Sequence, residues 1–488
     1  MKTKATLTRW LAIVAVLCAQ TGYVPAQEQS DELKQLKQQI QALEQKVKIL
    51  ERNKELEAEG VEARAKTLPT VHLGASGVNV TSGDSNFVLK IRGYVQADSR
   101  TFLNDDSSLK GNDTFLLRRV RPIIEGTIAK DFDYRLMLEF GSGVTSGTGN
   151  NGFLQDGYVN YKRFDFAQLQ IGKFKEPVGL ERLQSAANLL FIERGLPTQL
   201  VPNRDVGIQL HGKLWGNTLG YQLGYFNGTG DGGSGDIETT DDGKDIAARL
   251  FAHPFDRTDI GPLKKLGLGI AVTHGQHEGA LRNYSTAGQQ VWYRWRTGVG
   301  TNGATANVVS DDNTTRIAPQ GYYYWGPFGV FGEYVISSRD AVSSAGTATR
   351  RERLDNQAWQ VAVSYFLTGE ENSFGPVTPK RPFAWGSGGW GAWELIARVG
   401  QLRIDDEAFT DGNGDGRPDF ASDNAPSRVR EWGVGLNWHL NRNIKTSVNY
   451  LNSDFKGGGF TSATRDLQTG AVTSQDEDVV LAQVQFSF

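Results

Sequence analysis

The chain has 488 residues, a formal net charge of −3 and 39% hydrophobic residues. Its single cysteine, Cys18, excludes an intramolecular disulfide framework and a multi-cysteine metal site. The near-zero charge argues against a globally basic nucleic-acid-binding protein. Only the N-terminus carries an apolar run that approaches the roughly 20 residues of a membrane helix, which excludes a helical protein with several membrane spans.

The N-terminus has the composition of an export signal. Lys2, Lys4 and Arg9 form a basic region, residues 11–18 form a short apolar core, and small residues follow. This order predicts a signal peptide over residues 1–26 that is cleaved at its end. The alternative is a membrane anchor, which the short apolar core disfavours.

Apolar residues recur at alternating steps of three and four through the next segment. They are Leu33, Leu36, Ile40, Leu43, Val47 and Leu50. This spacing is the a/d seam of a coiled coil. Three heptads alone are marginal, so we predict a coiled-coil helix over residues 27–60 that needs partner chains, with a homotrimer compatible with the seam. The alternative is an amphipathic helix on the body of the same chain. Residues 61–85 are predicted to be a linker.

From residue 86 to the end, the hydrophobic period becomes two. Clear examples of the alternation lie at 87–97, 132–140, 219–225, 246–252, 432–440 and 480–488. About sixteen such segments occur with no helical domain between them. A soluble sandwich also alternates, but its sheets are shorter. The pattern predicts an all-β fold over residues 86–488, a transmembrane antiparallel β-barrel of about 16 strands with a lipid-facing and a polar lumen-facing side.

Link lengths follow the rule of outer-membrane barrels, in which short periplasmic turns alternate with long external loops. The long polar links lie at 101–113, 141–152, 176–203, 229–243, 277–315, 339–353, 406–426 and 455–475. The connection 369–389 is an exception, because it is long and rich in proline where a turn is expected. We therefore predict location in the outer membrane of a Gram-negative bacterium, with the coiled coil in the periplasm.

Five motifs give the barrel region a resemblance to a known family. They are FLLRRVRPIIEG at 115–126, QDGYVNY at 155–161, GKFKEPVGLE at 172–181, FIERGLP at 191–197 and NRDVGIQ at 203–209. With weaker echoes in residues 359–370 and 390–394, they resemble the phosphate-selective porin O and P family. The resemblance covers nearly all of residues 86–488. It implies a sixteen-stranded trimeric barrel that passes anions, phosphate or pyrophosphate being preferred in the founding members.

Basic residues of the barrel region are the candidates for an anion pathway. They are Lys90, Arg92, Arg118, Arg119, Arg121, Arg135, Lys173, Lys175, Arg249 and Arg398. Guanidinium groups hold phosphate through two parallel hydrogen bonds and stay charged. We therefore predict a porin for passive diffusion that prefers anions of the phosphate or polyphosphate type. The third external loop, 176–203, is predicted to fold inward and constrict the lumen.

Two observations leave alternatives open. Acidic residues share the lumen-facing parity, namely Asp98, Glu125, Asp133, Glu139, Asp156, Glu394 and Glu431. Many arginines can pair with them, which would give a diffusion porin without phosphate selectivity. Arg118 falls on the lipid-facing parity beside Arg119, so one of the two sits at a rim or a bulge. Lys173 and Lys175 also fall on the lipid-facing parity, so either the strand bulges near Gly172 or these lysines face lipopolysaccharide at the external rim.

Residues 411–419 match the first nine positions of a calcium loop. Asp411, Asn413, Asp415 and Asp419 occupy ligand positions. Ser422 stands where the loop needs a glutamate, so the alternative is an ordinary solvated loop. No other cofactor is predicted.

Two further functional classes are disfavoured. An outer-membrane enzyme would need a Ser/His or Asp/His cluster at the outer leaflet, and the six histidines are scattered. An adhesin is favoured by the coiled coil but not by the polar lumen stripes. The predicted partners are further copies of the chain, outer-membrane lipid and lipopolysaccharide, and small anionic solutes, but not nucleic acid.

Overall fold

The computed structural model of the protein describes most of the chain. The described residues are 26–103, 111–141, 154–235, 242–299, 305–345, 348–414, 416–458 and 476–488. The predicted signal peptide lies outside them except for its last residue. The chain divides into two compact units, Met1–Leu68 and Pro69–Phe488.

The first unit contains one helix, α1 (Ala26–Thr67), of 42 residues. It continues through Gly60, so the predicted helix end was wrong. One glycine costs a helix only about 1 kcal/mol, and the residues that follow favour helix until Pro69 restricts the residue before it. The seam side chains from Leu33 to Leu50 are between 49% and 67% exposed. No helix of the described residues is long and apolar enough to span a bilayer.

The second unit is the predicted antiparallel barrel, which is confirmed. Within the described residues each of sixteen strands pairs with the next, and the last pairs with the first. They are β1 (Val88–Phe102), β2 (Thr114–Ile128), β3 (Phe132–Leu138), β4 (Leu154–Phe164), β5 (Ala167–Lys175), β6 (Arg204–Leu214), β7 (Leu219–Phe226), β8 (Asp245–Ala252), β9 (Leu266–Ala280), β10 (Thr305–Trp325), β11 (Phe328–Ala345), β12 (Ala348–Phe366), β13 (Ala392–Arg403), β14 (Arg428–His439), β15 (Ile444–Lys456) and β16 (Asp476–Ser487).

The alternating pattern sets the two faces of the wall. In β8, Ile246 and Leu250 point outward and are 54% and 51% exposed, whereas Ala247 and Phe251 are buried on the inside. Strands β10, β11 and β12 have 21, 18 and 19 residues, well beyond the roughly 9–11 that cross a bilayer. The predicted loop at 339–353 was therefore wrong, because both strands continue almost to its middle.

A hairpin precedes the barrel where a linker was predicted. Its strands, Thr70–Gly74 and Gly77–Thr81, pair with each other, and the second also pairs with the start of β1. The Asn443 side-chain amide donates to the Ala75 carbonyl oxygen at 2.7 Å. The linker prediction for this part was wrong, and we call residues 70–81 the N-terminal hairpin. Its turn meets the 440–443 link, so it lies at the end of the barrel with the short links, the short-turn end.

Candidate functional site in the barrel lumen

The third loop, residues 176–203, lies inside the barrel. It contains a short helix, α2 (Leu180–Leu183), and two 3₁₀ turns, Ala186–Asn188 and Leu196–Leu200. The apolar side chains that distinguish it from a solvated loop are buried, with Val178 and Leu200 fully enclosed. Their burial explains why this loop folds inward rather than into solvent.

Backbone groups of the third loop are held by side chains from the far wall. Glu333 of β11 accepts from the Leu180 amide at 2.6 Å, and Asn449 of β15 accepts from the Ile192 amide at 2.8 Å. Lys445 donates to the Leu189 carbonyl oxygen at 3.0 Å. The loop begins after β5, so these bonds fix it across the width of the lumen.

One carboxylate of the loop gathers three arginines of the near wall. Glu193 lies 3.6 Å from Arg100 and 3.4 Å from Arg119, measured from Nη2 in each case. Arg118 donates to both of its oxygens, with Nη2–Oε2 at 3.2 Å. Burial alone would raise the pKa of Glu193, but the Arg118 and Arg119 charges outweigh burial and lower it to about 2. The carboxylate is therefore ionised at any physiological pH.

A β-bulge explains how neighbouring arginines both point inward. Gln96 of β1 is opposite Arg119, and Ala97 is opposite Leu117. Arg118 is thus an extra residue in β2, and a bulge of this kind re-aims the side chain. The alternation in the sequence places Arg118 on the lipid-facing side, whereas the bulge turns its side chain into the lumen.

A second chain of ion pairs runs along the same wall. Arg92 and Arg135 share Glu125 at 2.7 and 2.9 Å. Arg135 and Arg204 share Asp156 at 3.0 and 2.7 Å. Each carboxylate therefore bridges two guanidinium groups from different strands.

Counting both groups of ion pairs gives an excess of arginine on this wall. Arg121 also pairs with Glu139, at 2.5 Å. Seven guanidinium groups then share four carboxylates. Asp98 on the same face accepts from the Gln483 amide, and Asp133 pairs separately with Lys162. Leaving that lysine pair aside, seven guanidinium groups face five carboxylates.

Lys175 points into the barrel, not toward the external rim. Its Nζ donates to the carbonyl oxygens of Arg182 and Gln184 at 2.7 and 2.8 Å. Gly172 has φ 128°, and a Cβ there would lie 2.2 Å from the Gly157 carbonyl oxygen. The irregular backbone at this glycine breaks the simple alternation, and Lys173 is also buried, at 4% exposure.

The remaining candidate cations differ in their partners. Arg398 pairs with Glu431 at 2.8 Å and donates to the Glu193 carbonyl oxygen at 2.9 Å. Arg249 donates hydrogen bonds only to side-chain amide oxygens of the described residues, as described below. Lys90 is exposed and makes no hydrogen bond or ion pair with any described residue, although its charge acts on Glu125. At least six of the ten predicted cations are thus ion-paired. The role of all ten in an anion pathway stays a prediction.

A cavity of about 470 Å³ opens below the third loop. Its wall includes Lys90, Arg92 and Arg135 on one side and Lys445 on the other. Residues 372–373 and 375–377, from the long connection between β12 and β13, also line it. Gln184 of the third loop donates to the Phe374 carbonyl oxygen at 2.9 Å. The connection that broke the rule of short turns therefore folds partly into the lumen.

The predicted calcium loop is partly occupied by protein contacts. Asp419 accepts from Arg350 at 2.6 Å and from the Gly412 amide at 2.8 Å, and Asp411 accepts from the Gly416 amide. Asp415 lies outside the described residues. Among those described, no group of three or more His, Cys, Asp or Glu side chains is arranged to hold a metal ion. Calcium binding stays a prediction.

The acidic anchors of the third loop were missed by sequence reasoning. Glu181, Glu193 and Glu333 have no periodic signal that relates them to the wall. The first two lie within the motifs at 172–181 and 191–197. The presence of a glutamate in each motif, with an arginine one residue later, was the available signal.

Comparison with known proteins adds a sequence relationship. A family model described as phosphate-selective porin O and P matches residues 89–488. Porin O of Pseudomonas aeruginosa is 23% identical over 427 residues, which cover 79% of this chain and 90% of that protein.

Several solved structures also align with most of this chain. The outer membrane channel DcaP of Acinetobacter baumannii has a TM-score of 0.49 at 12% identity, covering 83% of this chain and 98% of that one. Outer-membrane expressed OmpT of Vibrio cholerae has a TM-score of 0.48 at 10% identity, with the same coverage. An anion-selective porin from Comamonas acidovorans has a TM-score of 0.46 at 13% identity, covering 82% of this chain and all of that one.

Proposed function

The chain belongs to the phosphate-selective porin O and P family, and on this premise we propose that it forms a passive diffusion channel that prefers small anions. The resemblance found in the sequence is confirmed by the match over residues 89–488. The family and the barrel make the protein an outer-membrane porin of a Gram-negative bacterium, a channel rather than an enzyme.

The excess of arginine on one wall carries the proposal. In the arginine ion pairs of this wall, seven guanidinium groups share four carboxylates, and Asp98 adds a fifth carboxylate. Because each shared carboxylate is divided between arginines, the wall keeps a positive charge. An anion that loses part of its hydration in a narrow passage is stabilised by such fixed charges.

The third loop is the proposed constriction. Its hydrogen bonds to β11 and β15 and its ion pairs to β2 place its backbone between the two walls. The guanidinium groups of Arg92 and Arg135 lie at the cavity beneath it. A phosphate that crosses the loop would meet these groups directly, and phosphate or polyphosphate transport is the sharper form of the proposal.

A general diffusion porin is the second candidate. It is favoured by the ion pairing of Arg92, Arg118, Arg119, Arg121, Arg135 and Arg398. Paired arginines offer fewer free N–H groups to phosphate, so a preference for anions does not by itself require a preference for phosphate.

We also propose a homotrimer with α1 in the periplasm. The exposed seam from Leu33 to Leu50 is suited to two further copies of the helix. The chain enters the barrel through the N-terminal hairpin at the short-turn end, and short turns are periplasmic in outer-membrane barrels. The outward-facing apolar side chains suit lipid.

Planar-bilayer recording from the purified protein tests the proposal. The reversal potential across a potassium chloride gradient is expected to show greater permeability to chloride than to potassium. Phosphate is then added at constant chloride, and a reduction of the chloride current at micromolar to millimolar concentration would support the sharper form. A pore that prefers potassium would contradict the proposal, and an anion-preferring pore that phosphate does not block would favour the second candidate.

A further inference from the structure

We propose that Arg249 and an aromatic strip beside it form a binding site for aromatic carboxylates inside the lumen. The strip consists of Phe251, His253, Tyr322 and Phe374. The inference rests on the proposed function, since it names a class of anion that the channel would bind during passage.

Arg249 differs from the ion-paired arginines of strands β1, β2, β3 and β6 because it has no acidic partner among the described residues. Its Nη1 donates to Gln222 at 3.1 Å, while Nε and Nη2 share the Gln320 amide oxygen at 3.3 and 3.2 Å. No carboxylate oxygen of the described residues lies within 4.0 Å of its guanidinium nitrogens. Glu333 acts on it only from a distance and is bound by the Leu180 amide and Gln360.

These contacts leave part of the guanidinium group available. It carries five N–H bonds, and the amide contacts use three of them. Two N–H bonds remain, one on each terminal nitrogen. Because the neutral amides of Gln222 and Gln320 hold the group in position without neutralising it, it is prepared to receive a carboxylate.

The aromatic strip continues directly from Arg249. The guanidinium carbon lies 4.6 Å from the centre of the Phe251 ring. The Phe251 and Tyr322 rings are 5.2 Å apart, and His253 Nε2 lies 2.7 Å from the Tyr322 hydroxyl. Phe374 stacks on Tyr322 at 5.3 Å with an angle of 19° between the rings.

Small residues on the strand between make room for these rings. Strand β9 lies between β8, which carries Phe251, and β10, which carries Tyr322. Two glycines of β9, Gly267 and Gly269, lie beneath these rings. A Cβ at Gly267 would lie 2.6 Å from the Phe251 ring and 2.7 Å from the Tyr322 ring, and one at Gly269 would lie 2.4 Å from Phe251. The rings of Phe251 and Tyr322 therefore pack directly over these glycines, and a larger residue at either position would displace them.

The strip is open to the lumen and reaches the cavity beneath the third loop. Arg249, His253, Tyr322 and Phe374 are half-buried and keep accessible surface. Tyr324, whose ring is 5.2 Å from that of Tyr322, lines the cavity of about 470 Å³. A solute in the cavity can thus pass along the strip toward Arg249.

The combination selects the chemistry of the ligand. A carboxylate can accept both free N–H bonds of Arg249, while an attached planar ring lies against Tyr322 and Phe374. Phosphate has no apolar surface and would gain nothing from the rings. A simple aliphatic acid such as acetate would use the guanidinium group alone.

The test compares benzoate with acetate as blockers of the chloride current in planar bilayers. Benzoate is expected to reach half-block at a concentration at least tenfold lower than acetate. Arg249→Gln should raise the half-blocking concentration of benzoate at least fivefold. Phe374→Leu should bring the benzoate value toward that of acetate. Arg257→Gln is the matched control, because Arg257 is exposed in the 253–265 connection and lies beside Gly216, outside the strip.

Each outcome decides the inference. Equal block by benzoate and acetate in the wild type overturns it, as does an Arg249→Gln channel that behaves like Arg257→Gln. If Arg249→Gln does not assemble, Arg249→Lys replaces it, because lysine keeps the positive charge but lacks the paired N–H groups of arginine. Benzoate should block Arg249→Lys less well than the wild type, and unchanged block by benzoate would overturn the site. The reversal potential is measured on the same channels. A reversal potential that shows a preference for potassium over chloride would overturn the proposed function. A preference for chloride together with equal block by benzoate and acetate would overturn only the aromatic site.

Discussion

Arg118 and Glu193 join the barrel wall to the third loop, because the guanidinium group donates to both carboxylate oxygens across 75 residues of sequence. Arg118 is the extra residue of a bulge in β2, and without that bulge its side chain would face lipid. Glu193 therefore has three arginine partners, and this arrangement fixes the loop against the near wall.

Glu193→Gln is expected to release the third loop. The change leaves Arg100, Arg118 and Arg119 close together without their shared carboxylate, and breaking a buried ion pair costs about 3–5 kcal/mol. Single-channel conductance should increase and become noisier. Glu371→Gln is the control, because Glu371 pairs with Lys265 in an exposed position. An unchanged conductance for Glu193→Gln would show that the loop is held mainly by its bonds to the far wall.

The barrel could be predicted because the face of each strand residue follows from local alternation. In β8 the inside residues Ala247 and Phe251 and the outside residues Ile246 and Leu250 follow the sequence pattern without exception. Inward folding of the third loop could be predicted from its apolar side chains. The number of strands could be predicted in the same way, by counting the segments in which apolar and polar residues alternate.

The partners inside the lumen could not be predicted in the same way. Glu333 binds the Leu180 amide 153 residues away, and no periodicity relates the two positions. The bulge at Arg118 and the positive φ at Gly172 each change the face of the next residue. The sequence showed only that the alternation fails at these places, and a bulge was one of two explanations. The helix beyond Gly60 and the N-terminal hairpin were hidden because short segments of mixed composition fit several local structures.

Gly172→Ala is expected to weaken the barrel at β5. A non-glycine residue at φ 128° is strained, and its Cβ would lie 2.2 Å from the Gly157 carbonyl oxygen. Strain of this kind costs about 1–3 kcal/mol, so the thermal unfolding temperature and the yield of folded barrel should fall. Gly220→Ala provides the comparison, since its nearest neighbour would be 3.7 Å away. Equal effects of the two changes would argue against a special role for Gly172.

Glu176→Gln is expected to stabilise the protein at alkaline pH. Both carboxylate oxygens of Glu176 are buried without a hydrogen-bond partner among the described residues. Burial raises the pKa of Glu176 well above its usual value, and the charges of Asp245 and Asp205 raise it further, against the effect of Arg316. The neutral form therefore suits the folded state.

The sign of the pH dependence follows from this direction. The unfolded chain releases the Glu176 proton near its ordinary pKa of 4.5, whereas the folded protein retains it to higher pH. The stability cost thus grows as pH rises through 4.5. Wild type and Glu176→Gln should unfold at similar temperatures at pH 4 and diverge by pH 8, with the variant higher. Glu407→Gln, at an exposed position, should show no such divergence, and a parallel course for Glu176→Gln would disprove the assignment.

Deletion of residues 27–66 is expected to leave the proposed trimer intact. The deletion removes most of α1 but keeps the N-terminal hairpin, which pairs with β1 and contacts Asn443. The barrel is closed by β16 and β1 without the helix. Native gels in mild detergent should show the same oligomer as the full chain. Monomers from this deletion would show that the helix is the main trimer contact. A second deletion, of residues 27–85, also removes the hairpin and should lower the temperature at which the oligomer dissociates.

Opposite changes at one ion-paired group provide a direct test of anion selectivity. Glu125 is shared by Arg92 and Arg135 at the cavity wall. Glu125→Gln removes a negative charge and should increase the chloride-to-potassium permeability ratio, whereas Arg135→Gln should decrease it. A unit charge at 4 Å in bulk water is worth about 1 kcal/mol, so each ratio should change by roughly two- to fivefold. Reversal potentials in a potassium chloride gradient measure both. The permeability ratio could instead change in the same direction in both variants, or stay unchanged in both. Either result would show that the solute path does not follow this wall and that the arginines serve only to hold the strands together.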